Sequence, residues 1–382
     1  MIDLAPVRAF LEPRHHEMGR LALEFGAREL VGHHPASDDE ARDLARRWCR
    51  ALGERGMLAP VREQDFRACC VLRETLAAFA PLADAMFALQ ALGSTPIALA
   101  GSEGLRAEWL EPAIAGERIA AFAMTEPGAG SDVGAIATTA VRDGDAYVID
   151  GTKTLISNAG IADFYVVFAS TDPTAGTRGL SAFVVPADAD GFRFVRPLIM
   201  SDPHPLGDIA FDACRIPASN RLGEEGDGFK IGMSTLDRLR PTVGAAACGM
   251  AARALEEALS HARERRQFEQ PLAEFQIIQE KLGRMATELT AARLLVYRAA
   301  WERDGGADRT DLEAAMAKSF ATETAQRVVD EAVQIVGGRG TLADHPVDQL
   351  YRAVRSLRIY EGTTEIQRLI VARHLLAGSE AT

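Results

Sequence analysis

A carboxylate on a tight turn is the first group in this sequence with the setting for chemistry. Glu361 stands in Arg358-Ile359-Tyr360-Glu361-Gly362-Thr363-Thr364-Glu365-Ile366-Gln367, directly before a glycine. An apolar-periodic run with basic residues leads into it. Thr363 and Thr364 can cap a following helix, and Gln367 is spaced to reach back as in a capping box. Glu361 is therefore expected between two helices, where Gly362 permits close backbone approach. A base that must touch a substrate suits that place. The bland reading is a surface glutamate in a helix-helix turn, and an isolated Glu-Gly-Thr would favour it; the stretches that follow reverse that preference.

Other stretches add to it. Ala121-Phe122-Ala123-Met124-Thr125-Glu126-Pro127-Gly128-Ala129-Gly130-Ser131-Asp132 runs from an apolar strand into a Pro/Gly-rich loop. Its free N–H groups and the Thr125 and Ser131 hydroxyls can donate to a flat polar ring and to phosphates. Asp237 and Arg240 are three apart and share a helical face, as an ion pair or as part of a ligand channel. Arg265-Arg266-Gln267-Phe268-Glu269 offers guanidinium forks for pyrophosphate and an aromatic cover, or is a plain charged helix end. Gln334-Ile335-Val336-Gly337-Gly338 places two glycines at a helix end, where a cap needs one.

The elements that must position these groups fall in three blocks. Residues 1–117 read as an N-terminal α-helical domain, with apolar periodicity over Ala41 to Leu52 and Arg67 to Phe79 and with Pro60, Pro81, Pro96 and Pro112 as punctuation. Residues 118–226 read as a central antiparallel β domain. Its strands are expected at Ala120 to Met124, Ala146 to Ile149, Phe164 to Ala169, Leu180 to Val185 and Asp208 to Cys214, with turns at Asp143-Gly144 and Asp150-Gly151. Residues 227–382 read as a C-terminal helical bundle built on Ala245 to Arg265, Phe275 to Arg303 and Asp311 to Val336. The fold class is α+β, multi-domain.

Composition narrows the function. The 382 residues carry a net charge of -12, with 47% hydrophobic and 25% charged residues. This lacks the basic footprint of a nucleic-acid binder, although a local arginine cluster can still hold an anion. The five cysteines (Cys49, Cys69, Cys70, Cys214 and Cys248) show no metal-binding spacing and suit a reducing compartment. No signal peptide is expected in Met1 to Phe10, and no segment of ~18 apolar residues suited to crossing a membrane. A cytoplasmic location, no metal and no membrane contact are the expectations.

Taken together, these motifs resemble the acyl-CoA dehydrogenases. The resemblance runs by motif from about residue 85 to 377 and rests on their order and spacing. It implies an N-terminal helical domain, a β domain and a C-terminal four-helix bundle, assembled as a homotetramer or homodimer. It implies FAD as cofactor, an acyl-CoA thioester as substrate and an electron-transfer flavoprotein as acceptor, in fatty acid metabolism. The family pattern makes Glu361 the catalytic base. It places Phe122, Met124, Thr125 and Ser131 at the flavin, with Thr125 on its reactive edge and Ser131 also facing the CoA side. It makes Lys153-Thr154-Leu155-Ile156-Ser157-Asn158 a second flavin strand, where Leu155 replaces the usual Trp and Ser157 the usual Thr. Arg265, Phe268 and Gln276 match FAD contacts to a neighbouring subunit, with Glu269 in place of the usual Gly. Gln334, Gly337 and Gly338 match the partner's FAD, and Thr363 and Glu365 the last contacts, Glu365 standing where Gln is common. Asp237, Arg240, Tyr360, Gly362 and Arg373 match the substrate side. Leu89-Gln90-Ala91-Leu92-Gly93 resembles a segment lining the substrate cavity.

The implied reaction is α,β-dehydrogenation to the trans-2-enoyl thioester, with a hydride passing to flavin N5. The rival readings are a dehydrogenase of carrier-protein thioesters in secondary metabolism, an oxidase passing electrons to oxygen, and a flavin-bearing binding protein without turnover.

Overall fold

The computed structural model describes residues 4–307 and 309–378. Twelve α-helices occur among them: α1 (Pro13–Phe25), α2 (Asp38–Glu54), α3 (Ala59–Glu63), α4 (Phe66–Phe79), α5 (Pro81–Ala100), α6 (Glu103–Leu105), α7 (Glu111–Ile114), α8 (Gly228–Glu264), α9 (Gln276–Asp304), α10 (Asp311–Val336), α11 (Pro346–Leu357) and α12 (Thr364–Gly378). The strands are β1 (Ala120–Ala123), β2 (Thr139–Asp143), β3 (Ala146–Ser157), β4 (Phe164–Ser170), β5 (Leu180–Pro186), β6 (Phe192–Pro197), β7 (Leu206–Pro217), β8 (Arg221–Leu222), β9 (Arg266–Gln267) and β10 (Gln270–Pro271). They group into two compact units, residues 1–34, 65–84 and 237–382 in one, and residues 35–64 and 85–236 in the other.

In the first unit α10 packs on α9, α11 and α12, while α4 packs on α1 and α9. Alanines make this possible. The buried face of α10 carries Ala314, Ala315, Ala317, Ala321, Ala325 and Ala332, and small side chains let helix backbones come close. Gly249 is the extreme case, since a Cβ there would lie 2.0 Å from the Glu74 carbonyl oxygen. The closed interior also holds polar groups. Arg293 Nε and the Tyr297 hydroxyl donate to the two oxygens of buried Glu74 at 2.6 and 2.8 Å.

In the second unit an eight-stranded sheet runs in the order β6-β7-β3-β2-β4-β5-β8, with β1 also on β4. Every residue of β4 is buried, so this strand is covered on both faces. The pairing is antiparallel except that β1 runs parallel to β4, as does β2 at a single pair. The sheet is therefore mostly antiparallel, as the sequence suggested, with parallel pairing added at β4.

Several local expectations are corrected. Asp143-Gly144 does make the β2–β3 hairpin, with Asp143 opposite Ala146. Asp150-Gly151 makes no turn: β3 continues through it with a register shift at a bulge, which a turn-residue pair also favours. Pro96 lies inside α5, and α8 starts at Gly228 with Pro241 inside it. Tertiary packing overrides the proline in both. The β2 and β6 strands were missed; both are largely exposed and show little apolar pattern. One described helix, α5, is long and apolar enough to cross a membrane, but 83% of its most apolar stretch is buried inside the protein. All five cysteines are free and buried.

Candidate active site

In the helical unit the chain between α11 and α12 carries Glu361 in the left-handed region, with φ 55°. That conformation costs a non-glycine residue about 1–2 kcal/mol, so the surroundings must hold it. Five hydrogen bonds from three side chains do so at the carbonyls. Lys318 Nζ donates to Tyr360 O at 2.9 Å and to Gly362 O at 2.6 Å. Arg240 Nε donates to Glu361 O at 3.1 Å, and Gln367 Nε2 to the same oxygen at 3.2 Å and to Gly362 O at 3.1 Å. Gly362 has φ 90°, where a side chain is strained, and a Cβ there would also displace Gln367 Nε2, 2.5 Å away.

The cap differs from expectation. Thr363 Oγ1 accepts from Ile366 N–H at 3.3 Å as an N-cap should. Gln367 lies one residue too far along for the box and donates to the turn's carbonyls instead. Thr364 donates to Glu323 at 2.8 Å.

The Glu361 carboxylate is set in tension between burial and cations. Its Oε2 is sealed from solvent with no hydrogen-bond partner. Burial raises its pKa above the usual carboxylate value, against the attraction of Arg73, Lys318 and Arg240, while Asp84 adds to the rise. Lys318, in turn, is lowered to about 8, first by burial, with Glu361 opposing. Arg73 is locked by Asp84, with Nε and Nη2 donating at 2.7 and 2.9 Å, and by Thr242 at 3.0 Å. Burial pushes the Tyr360 phenol up, while the nearby Arg73 charge opposes. Asp237 pairs with Arg240 as the spacing foretold, and its own pKa is raised by burial despite that partner.

The structure thus brings Asp237, Arg240, Tyr360, Glu361, Gly362 and Thr363 together. Arg373 is exposed, nine residues into α12, about 14 Å along its axis from Thr364, and so stands apart from the turn. Glu365 is exposed in the first turn of α12. Sequence reasoning missed Arg73, Asp84 and Lys318. Lys318 left one trace, a lysine amid the alanines of α10. Arg73 and Asp84 meet across the α4–α5 corner, and no spacing rule announces that.

Elsewhere in this unit, β9 and β10 form a small hairpin with Gln267 opposite Gln270. Its two tip residues, Phe268 and Glu269, both have positive φ, 49° and 68°, so Glu269 holds the backbone conformation a glycine would take there. Phe268 is 88% exposed and touches the Phe275 ring edge-on at 6.2 Å. Arg265 and Gln276 are exposed beside it, and Gln334, Gly337 and Gly338 are exposed at the end of α10.

In the sheet unit, β1 leads into a tight turn in which Glu126 N–H and Ala129 N–H each donate to the other's carbonyl, at 2.9 and 3.1 Å. The Glu126 carboxylate accepts from Ala137 N–H, Thr138 N–H and Lys153 Nζ at 2.7, 3.0 and 2.8 Å. Lys153 also reaches Met124 O and Phe168 O at 3.2 and 2.6 Å. This buried pair, which the sequence motifs contained but did not explain, ties the 124–138 loop to β3 and β4. Burial lowers Lys153 to about 8, with Glu126 opposing.

Phe122 is half-buried against Phe168 at 4.9 Å. Met124 is buried, and Thr125 is half-buried with its carbonyl accepting from Thr154 N–H at 3.0 Å. Ser131 is exposed, and neither the Thr125 nor the Ser131 hydroxyl finds a partner among the described residues. A second bulge in β3, between Lys153 and Ile156, puts Leu155 at φ 57° and leaves it 57% exposed. Ser157 is half-buried, and its hydroxyl meets His204 Nε2 at 2.8 Å. His204 is lowered to about 4, chiefly by burial with Arg42 adding, and is neutral near pH 7. Gln90 is committed to structure: it donates to Ala113 O and Arg118 O and accepts from Ala120 N–H. Its amide therefore has no part free for a substrate.

Comparison with known proteins agrees along the whole chain. The family models for the acyl-CoA dehydrogenase N-terminal, middle and C-terminal domains match residues 12–117, 121–214 and 226–376. A 3-(aryl)acrylate reductase of Clostridium sporogenes is 38% identical over 96% of this chain and 100% of its own length. A cyclohexane-1-carbonyl-CoA dehydrogenase of Geobacter metallireducens is 38% identical over 93% of this chain and 95% of its own. The structure of butyryl-CoA dehydrogenase from Megasphaera elsdenii superposes with a TM-score of 0.88 at 32% identity, covering 96% of this chain and 99% of that one. With three domain models matched in order and relatives aligned end to end, the chain belongs to the acyl-CoA dehydrogenase family.

Proposed function

We propose that this protein desaturates an acyl-CoA thioester between its α- and β-carbons, giving the trans-2-enoyl-CoA, with Glu361 as the base. The observation that carries the proposal is the Glu361 carboxylate, held on a left-handed turn with Oε2 buried and unpartnered. A structural glutamate would have its oxygens satisfied. A base waiting for a C–H proton has no partner until substrate arrives.

FAD is the cofactor the family brings, and the residues fit it. Two unpartnered hydroxyls, Thr125 and Ser131, lie along a loop where Gly128 and Gly130 have open space around the position of a Cβ, as do Gly337 and Gly338. Thr125, Ser131, Leu155 and Ser157 would line the ring, with Phe122 and Met124 behind them. Arg265, Phe268, Gln276, Gln334, Gly337, Gly338, Thr363 and Glu365 would serve the rest of the dinucleotide. When bound, FAD supplies the oxidation by accepting the β-hydrogen with its electron pair.

The protein's own part is proton removal and polarisation. A carboxylate is too weak to take an unassisted α-proton, so the thioester carbonyl must be stabilised as it gains charge. The Glu361 N–H has no acceptor among the described residues and is the donor this chain offers. Burial makes Glu361 a stronger base than an exposed glutamate. Asp237, Arg240, Tyr360 and Gly362 border the substrate, Ser131 faces its CoA portion, and Arg373 serves the CoA from farther along α12. An electron-transfer flavoprotein as acceptor, a homotetramer or homodimer, and a cytoplasmic location belong to the same reading.

The test is anaerobic bleaching of the bound flavin by a panel of acyl-CoA thioesters. Glu361→Gln should keep its yellow FAD and lose the bleaching, and full bleaching in that variant removes Glu361 as base. Reoxidation of the reduced flavin by 2-enoyl thioesters, in the same cuvette, measures the reverse direction.

A further inference from the structure

We propose that Lys318 is a positioning residue for the carbonyl-polarising donor: by gripping Tyr360 O and Gly362 O it sets the plane of the Tyr360–Glu361 peptide and aims the Glu361 N–H at the thioester oxygen. The inference rests on the reading above and deepens it.

The geometry follows from peptide planarity. No described peptide bond is cis, and in a trans peptide the C=O and the next N–H lie in one plane and point opposite ways. Lys318 Nζ sits 2.9 Å from Tyr360 O. The Glu361 N–H of that same peptide is therefore directed away from Lys318, and it meets no acceptor among the described residues. A second bond from the same ammonium, 2.6 Å to Gly362 O, spans the left-handed residue and prevents the peptide from flipping. Arg240 and Gln367 hold the intervening Glu361 carbonyl.

Polarisation adds to aim. An ammonium on an amide oxygen draws electron density through the peptide and strengthens the opposite N–H as a donor. That matters most when the thioester oxygen carries charge, so the help is selective for the enolate. Lys318 is fully buried and otherwise caps no helix.

The groups facing Lys318 are Glu361, Glu323 and Glu365, which favour its charge, and Arg240, which opposes it; with burial the largest effect, it loses its proton at about 8. The flavin-reduction rate should therefore fall as pH rises through about 8. Lys318→Met should reduce the rate by about 10- to 100-fold, less than the ~10²–10³ of losing an oxyanion donor outright, and should abolish that alkaline limb. Lys318→Arg, which does not titrate there, should recover part of the rate and stay flat through pH 9. A second readout needs no turnover. A 3-oxoacyl-CoA loses its α-proton but has no hydride to give, and the ultraviolet absorbance of its bound enolate reports how well the site stabilises that charge. Its apparent pKa on the holoenzyme should rise by about 1–2 units in Lys318→Met, matching the 10- to 100-fold rate loss.

Each variant is first matched to the parent in circular dichroism and FAD content. If a folded Lys318→Met reduces its flavin at the parent rate with the same alkaline limb and the same enolate pKa, the inference is overturned while the reading of Glu361 stands. Bleaching that survives in Glu361→Gln overturns that reading instead. Should Lys318→Met not fold, a parent profile without a limb near pH 8, or a limb kept by Lys318→Arg, overturns the inference.

Discussion

Arg73 and Asp84 form a two-pronged ion pair closed off from water beneath the Glu361 turn. Nε and Nη2 donate at 2.7 and 2.9 Å, and the side chains are 1% and 2% exposed. The remaining guanidinium direction goes to Thr242. The pair carries the charge that Tyr360 and Glu361 meet from below, with Arg73 opposing the rise of both.

Breaking this pair should be costly. Asp84→Ala leaves a buried guanidinium without its carboxylate, which typically destabilises by about 3–5 kcal/mol. Arg73→Met with Asp84→Leu removes both charges and should recover most of that loss. Denaturant unfolding of the four corners of the cycle gives the coupling directly. The double variant should still lose activity, because Glu361, as the proposed base, then lacks the Arg73 charge and holds its proton to higher pH.

Glu361→Gln should be more stable than the parent at neutral pH. Burial raises the pKa of Glu361, so the folded protein holds this proton more tightly than the unfolded chain. Stability from this group is then greatest below the unfolded value near ~4.3 and is lost as pH rises through the folded one. Glutamine does not ionise and escapes that loss. Melting temperatures should separate above the folded pKa and converge near pH 4, if burial dominates as stated. An equal or lower melting temperature at pH 8 would mean the three cations outweigh desolvation. With Glu361 as the proposed base, the same raised pKa should set an acid limb on the parent's rate, above the ordinary carboxylate range.

The long elements were legible because their signal is periodic and local. The α10 helix was read with its observed ends, and β4 and β5 to within a residue. Glu361 was legible because Gly362 marks a turn, and Asp237 with Arg240 because a helix brings i and i+3 together. The groups that tune them were not, because they come from distant chain positions. Lys318 reaches the turn from 42 and 44 residues away, and Arg240, itself a legible candidate, makes its bond to the turn across 121. His204 meets Ser157 across 47 residues. Nor could the sequence show that Gln90 is spent on backbone groups, since an amide in an apolar helix looks the same whether it faces a ligand or a loop.

Phe268→Ala should separate folding from cofactor retention. The ring is 88% exposed on a hairpin tip, so truncation should change the stability of the apoprotein by less than about 0.5 kcal/mol. If the side chain covers FAD in an assembled oligomer, the variant should lose flavin about tenfold more readily on dilution. Thermal unfolding of apoprotein and fluorescence of released FAD make the two measurements. Equal FAD retention would free Phe268 from that role.

Lys153→Met should loosen the 124–138 loop. Lys153 Nζ joins Glu126, Met124 O and Phe168 O within a buried site. Removing it leaves the Glu126 carboxylate charged and enclosed, with the backbone N–H donors of Ala137 and Thr138 as its partners among the described residues. Loss of one partner in such a pair costs about 3–5 kcal/mol, and the cost falls on the segment that carries Thr125 and Ser131. Amide exchange should quicken across residues 127–138 more than across β5, whose pairing with β4 does not use this lysine. FAD affinity should fall in parallel. In Glu126→Gln the amide oxygen can still accept from a backbone N–H, so the loop should keep more of its protection. If exchange rises evenly over the whole sheet instead, Lys153 supports the strands at large and has no special hold on the loop.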